Sequence, residues 1–599
     1  MTWTLDKISP ESATNLHGLL LERAKRSTNS VAYKYFDSTD QCWKEYTWAQ
    51  VVDIVTHWAT ALSQLQLNIG ERVGVMLPNG PEWVFFEQAA ARAGLVSVPL
   101  YPNDRPDNVS HIVNESEIRV LFFWGPLQWD TIRAAKNDFE NTPVFISSQP
   151  VNDPEVTHKS EWLKKANGLP SLAPVKVSSK ELATIVYTSG TTGRPKGVML
   201  SHDNIIKNAF FGVHSVDVYK EDLFLSFLPL SHTLERTVGY YLPMLCGASV
   251  AYCRSIPELA EDLLSIKPTV LISVPRIFER VYGKIKTGLQ EKSPVAQKLF
   301  AMAISVGWEK FLAEQGRGSR SLRQVLWPLL NKLVASKIAE KLGGRLRFAI
   351  SGGAPLPKEI AETFIGLGIQ ILQGYGLTES SPVISVNKMD SNIPHSIGQA
   401  LHGVKVRLSK DGELQTSSEC VMMGYWKRED ATKETFTEDG WLRTGDLARI
   451  DESNHIYITG RLKEIMVMSN GEKIPPVDIE MAITLDPLFE QAMVIGEGKP
   501  YLSAIIVLNP EAWPAYAESL GLSATTSGVL KDKTLLKEIK KRVDERMSEF
   551  PGYAQIHQIT LSDEVWSDQN FLLTASLKMN RKVISERFAQ EIAAMYSGH

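Results

Sequence analysis

Along the first half of the chain, short apolar runs alternate with longer stretches whose apolar residues recur at helical spacing. Residues 72–77 and 96–100 read as strands, and residues 81–94 between them read as a helix. The run at 269–274 lacks polar alternation, as expected of a strand buried on both faces. From about residue 15 to 270 this alternation predicts mostly parallel sheets flanked by helices. The texture changes at 275–342, which is helix-rich and holds few strand candidates. Within it Phe300, Ile304, Trp308 and Phe311 fall on one helical face. That stripe is expected to pack on the main body. The competing reading lays it on a membrane surface, where nearby Arg317, Arg320 and Arg323 could meet lipid phosphates.

Residues 397–458 are short, Gly-punctuated and strand-like. A mixed α/β segment follows Gly460, with an apolar strand at 502–508 and a charged helix near 535–549. The expected fold is therefore α/β. A large N-terminal domain of layered sheets and helices spans 1–460, with a helical insertion at about 276–342 and a small β-barrel-like unit at about 397–458. A small α/β C-terminal domain spans 461–599.

Composition narrows the function classes. With 599 residues, 43% of them hydrophobic, the chain can bury a large core and form several units. A formal net charge of -4 gives no footprint of a general nucleic-acid binder, so no nucleic-acid partner is expected. The cysteines, Cys42, Cys246, Cys253 and Cys420, form no C-x-x-C pair. They indicate neither a zinc site nor a thioredoxin-like motif, and so few suit a reducing cytoplasm. The N-terminus has no basic start followed by an apolar run, and no apolar stretch reaches the roughly 18–20 residues of a spanning helix. A cytoplasmic protein is expected, at most peripheral on the inner membrane face.

The strongest local chemistry is YTSGTTGRPKGVMLSH at 187–202. A strand at 183–187 feeds a run of Thr, Ser and Gly whose backbone N–H groups can converge on phosphate oxygens, with hydroxyls as added donors. Lys196 adds a mobile positive charge. It is not a Walker A loop, because counting from Gly190 puts Pro195 where that motif needs glycine.

Six further segments follow in order: LPLSHTLER at 228–236, SGGAPL at 351–356, QGYGLTES at 373–380, TGDLARID at 444–451, GRLKEIMVMSNGEKIPPVDIE at 460–480 and LTASLKMNRK at 573–582. With the loop at 187–202 they resemble, over almost the whole chain, the signature segments of the adenylate-forming superfamily. That superfamily includes acyl-CoA synthetases, peptide-synthetase adenylation domains and firefly-type luciferases. The resemblance implies that Thr188, Ser189, Gly190, Thr191, Thr192, Gly193 and Lys196 handle the phosphates of ATP. It implies a nucleotide pocket built from Gly352, Gly353, Ala354, Pro355, Gln373, Gly374, Tyr375 and Gly376, with Tyr375 against the base. Thr378 would contact the α-phosphate. Glu379 would bind Mg²⁺, a hard ion that often bridges one carboxylate with substrate phosphates. Asp446 would accept hydrogen bonds from the ribose hydroxyls, and Arg461 would reach the nucleotide nearby.

The same resemblance makes the C-terminal domain mobile about a hinge at Lys463. One orientation would deliver a catalytic lysine, matched by Lys578, to the carboxylate attacking the α-phosphorus, where a cation stabilises developing charge. Arg581 and Lys582 are the neighbouring candidates. The other orientation would bring Gly471 beside the path of the CoA thiol, where a glycine permits close passage.

Three features resemble the long-chain subgroup: LPLSHTLER itself, VPRIFERVYGKI at 274–285, and LGGRLRFAISGGAPL at 342–356, the last two bracketing the helical insertion. His232 would then sit at the mouth of the acyl channel, unless it is a structural histidine. The implied activity joins a long-chain fatty acid to CoA through an acyl-AMP, giving acyl-CoA, AMP and pyrophosphate. ATP and CoA are co-substrates and Mg²⁺ is the cofactor. The alternatives are a ligase that loads a carrier protein, one acting on medium-chain or other carboxylates, a luciferase-like oxygenase, and a binding or uptake protein that keeps the fold without catalysis. The oligomeric state is not set by these features.

Overall fold

In a computed structural model that describes residues 3–188, 194–462, 464–525, 528–567, 569–574 and 578–597, the first 400 or so residues build two large twisted sheets. In one, the strands Ile371–Gly376, Phe348–Ser351, Val270–Ser273, Leu223–Ser226, Ser249–Tyr252 and Val31–Asp37 lie side by side and parallel. Antiparallel strands Val383–Val386 and Cys42–Thr47 extend its two sides. In the other, Val96–Pro99, Arg72–Met76, Ile118–Phe123 and Val144–Ser147 are parallel, and the hairpin of Leu182–Thr188 with Lys196–Ser201 joins them beside Val96–Pro99.

The helix Pro81–Arg92 is buried almost throughout, with Trp83, Val84, Phe85, Phe86 and Ala89–Ala91 supplying most of its surface. Its one internal acid, Glu87, is compensated by an ion pair to Arg236, with both side chains only 2% exposed. Arg236 also donates to Ser97 Oγ at 2.8 Å and Thr184 Oγ1 at 2.9 Å, and so ties two neighbouring strands to the segment Glu235–Tyr241. That segment is a π-helix, a geometry frequent near functional sites. Gly239 fits within it because a Cβ there would lie 2.3 Å from Glu235 Oε1.

The stretch 275–342 contains the long helices Pro275–Gln290 and Pro294–Glu314. Its aromatic stripe packs inward. Phe311 is buried against the main core with Trp308 beside it, and Phe300 and Ile304 join Trp327 and Leu367 in a smaller cluster. Gly307 allows this approach, since a Cβ there would come within 1.8 Å of Gly366 O.

Lys405–Leu408, Glu413–Ser417, Leu442–Ile450 and Ile456–Arg461 form an antiparallel four-stranded sheet in that order. Beyond it, Phe489–Ile495, Leu502–Leu508 and Ile556–Ser562 form a three-stranded sheet with its own core. The helix Lys533–Arg546 covers that sheet. Asp532 caps it by accepting from Thr534 N and Leu535 N, and Leu535, Ile539 and Val543 are its buried face. Among the described residues no helix is long and apolar enough to cross a membrane.

Candidate active site

The parallel strands of the first large sheet, from Ile371–Gly376 to Val31–Asp37, end together, and a cleft of about 2400 Å³ opens there and beneath the C-terminal segment. Ligands of open α/β sheets gather at such carboxyl ends. The strand Phe348–Ser351 runs into Gly352 and Gly353, which line the cleft. Gly353 has φ +83°, so the chain turns there as an L side chain rarely permits. Ala354 and Pro355 follow in the same loop and are exposed. Gln373 lies beneath it: Leu356 N donates to its Oε1 at 2.7 Å, and its Nε2 donates to Ser396 O at 3.0 Å. Gln373 thus props the loop from behind.

Gly374, Tyr375 and Gly376 continue the neighbouring strand along the cleft wall. Gly376 passes so close to Pro382 O that a Cβ would stand 1.9 Å from it. The Tyr375 hydroxyl donates to Asp446 Oδ2, and Arg461 Nε donates to Asp446 Oδ1 at 2.9 Å. Asp446 and Arg461 are register partners on adjacent strands of the four-stranded sheet. The buried carboxylate of Asp446 is therefore held between an aromatic hydroxyl and a guanidinium whose residues line the cleft, while Asp446 itself does not.

Thr378 and Glu379 follow in one short turn. The Thr378 hydroxyl is 3.3 Å from that of Thr233, and Glu379 Oε1 accepts from the Tyr425 hydroxyl at 2.7 Å. The Lys196 ammonium stands 5.1 Å from the centre of the same Tyr425 ring. Tyr425 thus links the phosphate-loop lysine to the candidate metal carboxylate. Tyr425 lies in none of the ordered motif segments. It reaches this place because Gly424, at φ +134°, and Tyr425 pair with Met199 and Val198 across an added strand. Thr188 and Lys196 both line the cleft, while Ser189, Gly190, Thr191, Thr192 and Gly193 lie outside the described residues.

Lys578 enters the same cleft from the C-terminal segment. Thr574 N donates to Lys578 O at 2.7 Å. The ammonium stays open to the cleft yet has protein around it. That enclosure, followed by the repulsion of Arg461, holds its pKa below the usual lysine value, against the pull of Asp446, Glu464 and Glu379. The neighbouring basic residues are engaged differently. Arg581 is clamped on buried Glu480 at 2.7 and 2.6 Å, and Lys582 is exposed near Glu586. Gly471, at φ +87° in the turn between Met466–Val467 and Lys473–Ile474, is exposed and is not among the cleft-lining residues. Lys463 lies outside the described residues.

His232 lines the cleft too, and burial together with Lys578 pulls its pKa down to about 4. It is neutral at pH 7. Leu234 N donates to its Nδ1 at 3.2 Å, which leaves the ring proton on Nε2.

From this polar end the cleft continues as an apolar arm. Phe348, Ile350 and Gly352 alternate on one strand face and all line it. Phe348 pairs with Val270, and Val270 with Phe224, so three strands present one apolar row. The four-residue step from Gly352 back to Phe348 gives this wall a length of about 13 Å. Val216, Val218 and Leu242 line the cleft as well.

Two family matches cover nearly the whole chain. The AMP-binding enzyme family matches residues 20–426, and the C-terminal domain of AMP-binding enzymes matches residues 463–599. A long-chain-fatty-acid–CoA ligase of Mycobacterium bovis is 31% identical over 97% of both chains. The peroxisomal long chain acyl-CoA synthetase 7 of Arabidopsis thaliana is 31% identical over 89% of this chain and 78% of its own. Among solved structures, the A domain of a carboxylic acid reductase from Segniliparus rugosus, in complex with AMP and a co-purified carboxylic acid, superposes with a TM-score of 0.78 at 19% identity, covering 97% of this chain and 94% of that one. An anthranilate CoA ligase in complex with anthranoyl-AMP superposes with a TM-score of 0.74 at 20% identity, covering 97% and 98%. The structural likenesses show the fold, and the near-full-length sequence matches show the kinship: the chain belongs to the AMP-binding enzyme family, among its long-chain fatty acid–CoA ligases.

Proposed function

We propose that this protein activates a long-chain fatty acid with ATP and transfers the acyl group to CoA through an enzyme-bound acyl-AMP. The observation that carries the reading is a single cleft that brings Tyr375, Thr378, Glu379 and Lys578 together at one end and opens into an apolar arm.

The arm takes the acyl chain and leaves the carboxylate near the strand ends. Each buried methylene contributes about 0.8 kcal/mol, so the arm rewards length. The base lies against Tyr375 and the ribose hydroxyls donate to Asp446. The phosphates extend toward Thr188 and Lys196. The carboxylate oxygen attacks the α-phosphorus and pyrophosphate leaves. Two anions approach each other in that step, and the Lys578 ammonium stabilises the charge that develops. The acyl oxygen now belongs to AMP, a better leaving group. The CoA thiol attacks the acyl carbon, AMP departs and the thioester forms. Enclosure by the C-terminal segment keeps water from the adenylate.

Mg²⁺ fits Glu379. One carboxylate oxygen accepts from Tyr425, and the group faces the cleft. Among the described residues no cluster of three or more metal-ligating side chains forms a protein-only cage. An ion held by one carboxylate and completed by phosphate oxygens and water suits Mg²⁺. When bound, it neutralises phosphate charge.

The two units, 1–460 and 461–599, then work as a body and a swinging cap hinged at Lys463. The orientation with Lys578 in the cleft suits adenylation, and a second orientation would carry Gly471 to the thiol path. Arg276 supports the first orientation by donating to Glu490 O at 2.8 Å and to Glu490 Oε1 at 2.5 Å across the two units. A cytoplasmic location suits these co-substrates. Exchange of labelled pyrophosphate into ATP, driven by saturated acids without CoA, tests the first step. Exchange that rises with chain length supports the reading, and exchange independent of added acid sinks it.

A further inference from the structure

The chain from Leu322 to Lys341 is one continuous helical rod with two apolar faces. It runs through the turns Leu322–Leu326, Trp327–Leu330, Asn331–Ala335 and Ser336–Lys341, and the junction residues Leu326, Leu330 and Ala335 keep right-handed helical backbone angles. One face, with Trp327, Leu330, Val334 and Ala335, packs into the small core of the insertion. The other carries Leu322, Val325, Leu326, Leu329 and Leu333, spaced three or four apart, and is left in solvent. Leu322 is 91% exposed, Val325 76% and Leu329 57%. Scattered apolar side chains are ordinary on a surface, but a contiguous ridge along one helical face marks a contact.

The charge around the ridge identifies the contact. Between residues 315 and 339 there is no Asp or Glu, while Arg317, Arg320, Arg323, Lys332 and Lys337 are all basic. The chain as a whole has a net charge of -4, so this stretch opposes the rest of the molecule. Arg323 pairs with Glu309 outside the stretch, whereas Arg320, Lys332 and Lys337 make no ion pair among the described residues and are exposed. A second copy of the chain is disfavoured as the occupant. A twofold contact would set the same basic residues against each other across the ridge. A bilayer rich in anionic headgroups meets both requirements, since acyl chains receive the leucines while lipid phosphates receive the basic side chains.

We propose that the ridge Leu322–Leu326, with Leu329 and Leu333, is a membrane-docking surface selective for anionic lipid. It is distinct from the rod's buried residues Trp327, Leu330, Val334 and Ala335, and it does not depend on which acid the enzyme activates.

The test is co-sedimentation of the full chain with phosphatidylcholine vesicles, with and without phosphatidylglycerol. The wild-type protein is expected to pellet with the phosphatidylglycerol vesicles and to be released by high salt. Val325→Asp with Leu329→Asp is expected to weaken that binding at least about tenfold. Arg320→Glu with Lys332→Glu should reduce it to the level of pure phosphatidylcholine. Leu127→Asp, at a side chain 78% exposed elsewhere, should bind as wild type. All three variants should keep the wild-type thermal midpoint. The proposal is overturned if wild type stays in the supernatant with both vesicles, or if both ridge variants bind as wild type does. It is also overturned if wild type ignores vesicles but is a dimer that Val325→Asp with Leu329→Asp converts to a monomer, because the ridge then belongs to a second copy.

Discussion

Arg461 Nε donates to Asp446 Oδ1 at 2.9 Å, across a register pair of adjacent strands. The pair fixes a buried carboxylate next to the cleft-lining Tyr375, and Arg461 is the last residue of its strand before the chain leaves for the C-terminal unit. Asp446→Asn keeps the shape and removes the charge that Arg461 and Tyr375 address. The expected result is an ATP KM raised about tenfold or more, with a smaller change in the KM of the acid. Equal changes in both would remove Asp446 from ribose binding. The measurement is steady-state kinetics with each substrate varied in turn.

The lowered pKa of Lys578 sets a pH limit. A lysine serves as the cation only while protonated, and enclosure plus Arg461 move its pKa below the ordinary 10.5. Adenylation should therefore fade on the alkaline side at a pH below 10.5. Arg461→Gln removes one repelling charge and should move that limb upward. Lys578→Ala should lower adenylation by about a hundredfold or more while sparing thioester formation from supplied acyl-AMP. A pH–rate series on each half-reaction reads all three, and equal loss of both steps in Lys578→Ala would contradict the role.

Ile350 lies midway along the apolar wall between Gly352 and Phe348. Ile350→Trp should block the arm at that depth. Long acids would lose their deeper contacts, at about 0.8 kcal/mol per methylene, whereas shorter acids would keep theirs. Eight lost methylenes correspond to at most roughly 6 kcal/mol, so a discrimination shift of a hundredfold or more is expected in kcat/KM. A uniform fall across chain lengths would place the acyl chain elsewhere.

Burial pushes Glu235 up to about 8, only partly opposed by the Ser226 hydroxyl. The folded protein then holds a proton that the unfolded chain releases near the ordinary 4.5. The unfolded state binds fewer protons between those values, so stability should fall as pH rises from about 4.5 to about 8. Glu235→Gln should flatten that slope and be worth roughly 2–4 kcal/mol at the upper end. Denaturant midpoints of both proteins across this range provide the check.

Much of this was legible in the chain. The run at 269–274 reads as a doubly buried strand, and Val270–Ser273 is one. The ordered motifs point to Tyr375, Glu379 and Lys578, and those residues share one cleft. Tyr425 was not legible, because its place beside Lys196 comes from the pairing of Gly424–Tyr425 with Lys196–Ser201, and periodicity gives a face without naming its neighbour. The ridge at Leu322, Val325 and Leu329 escaped for a related reason. Leucines three and four apart look alike whether a helix buries them or leaves them in water, and only packing with Leu330 and Ala335 on the opposite face separates the two.

The most direct test of the whole account is to incubate the protein with Mg-ATP, CoA and one long saturated acid, and to count AMP, pyrophosphate and acyl-CoA together. The three should rise in equal amounts, faster for long acids than for short ones, and AMP should stop accumulating when the acid is withheld. ATP consumption without acyl-CoA, or adenylate that persists in the presence of CoA, would contradict it.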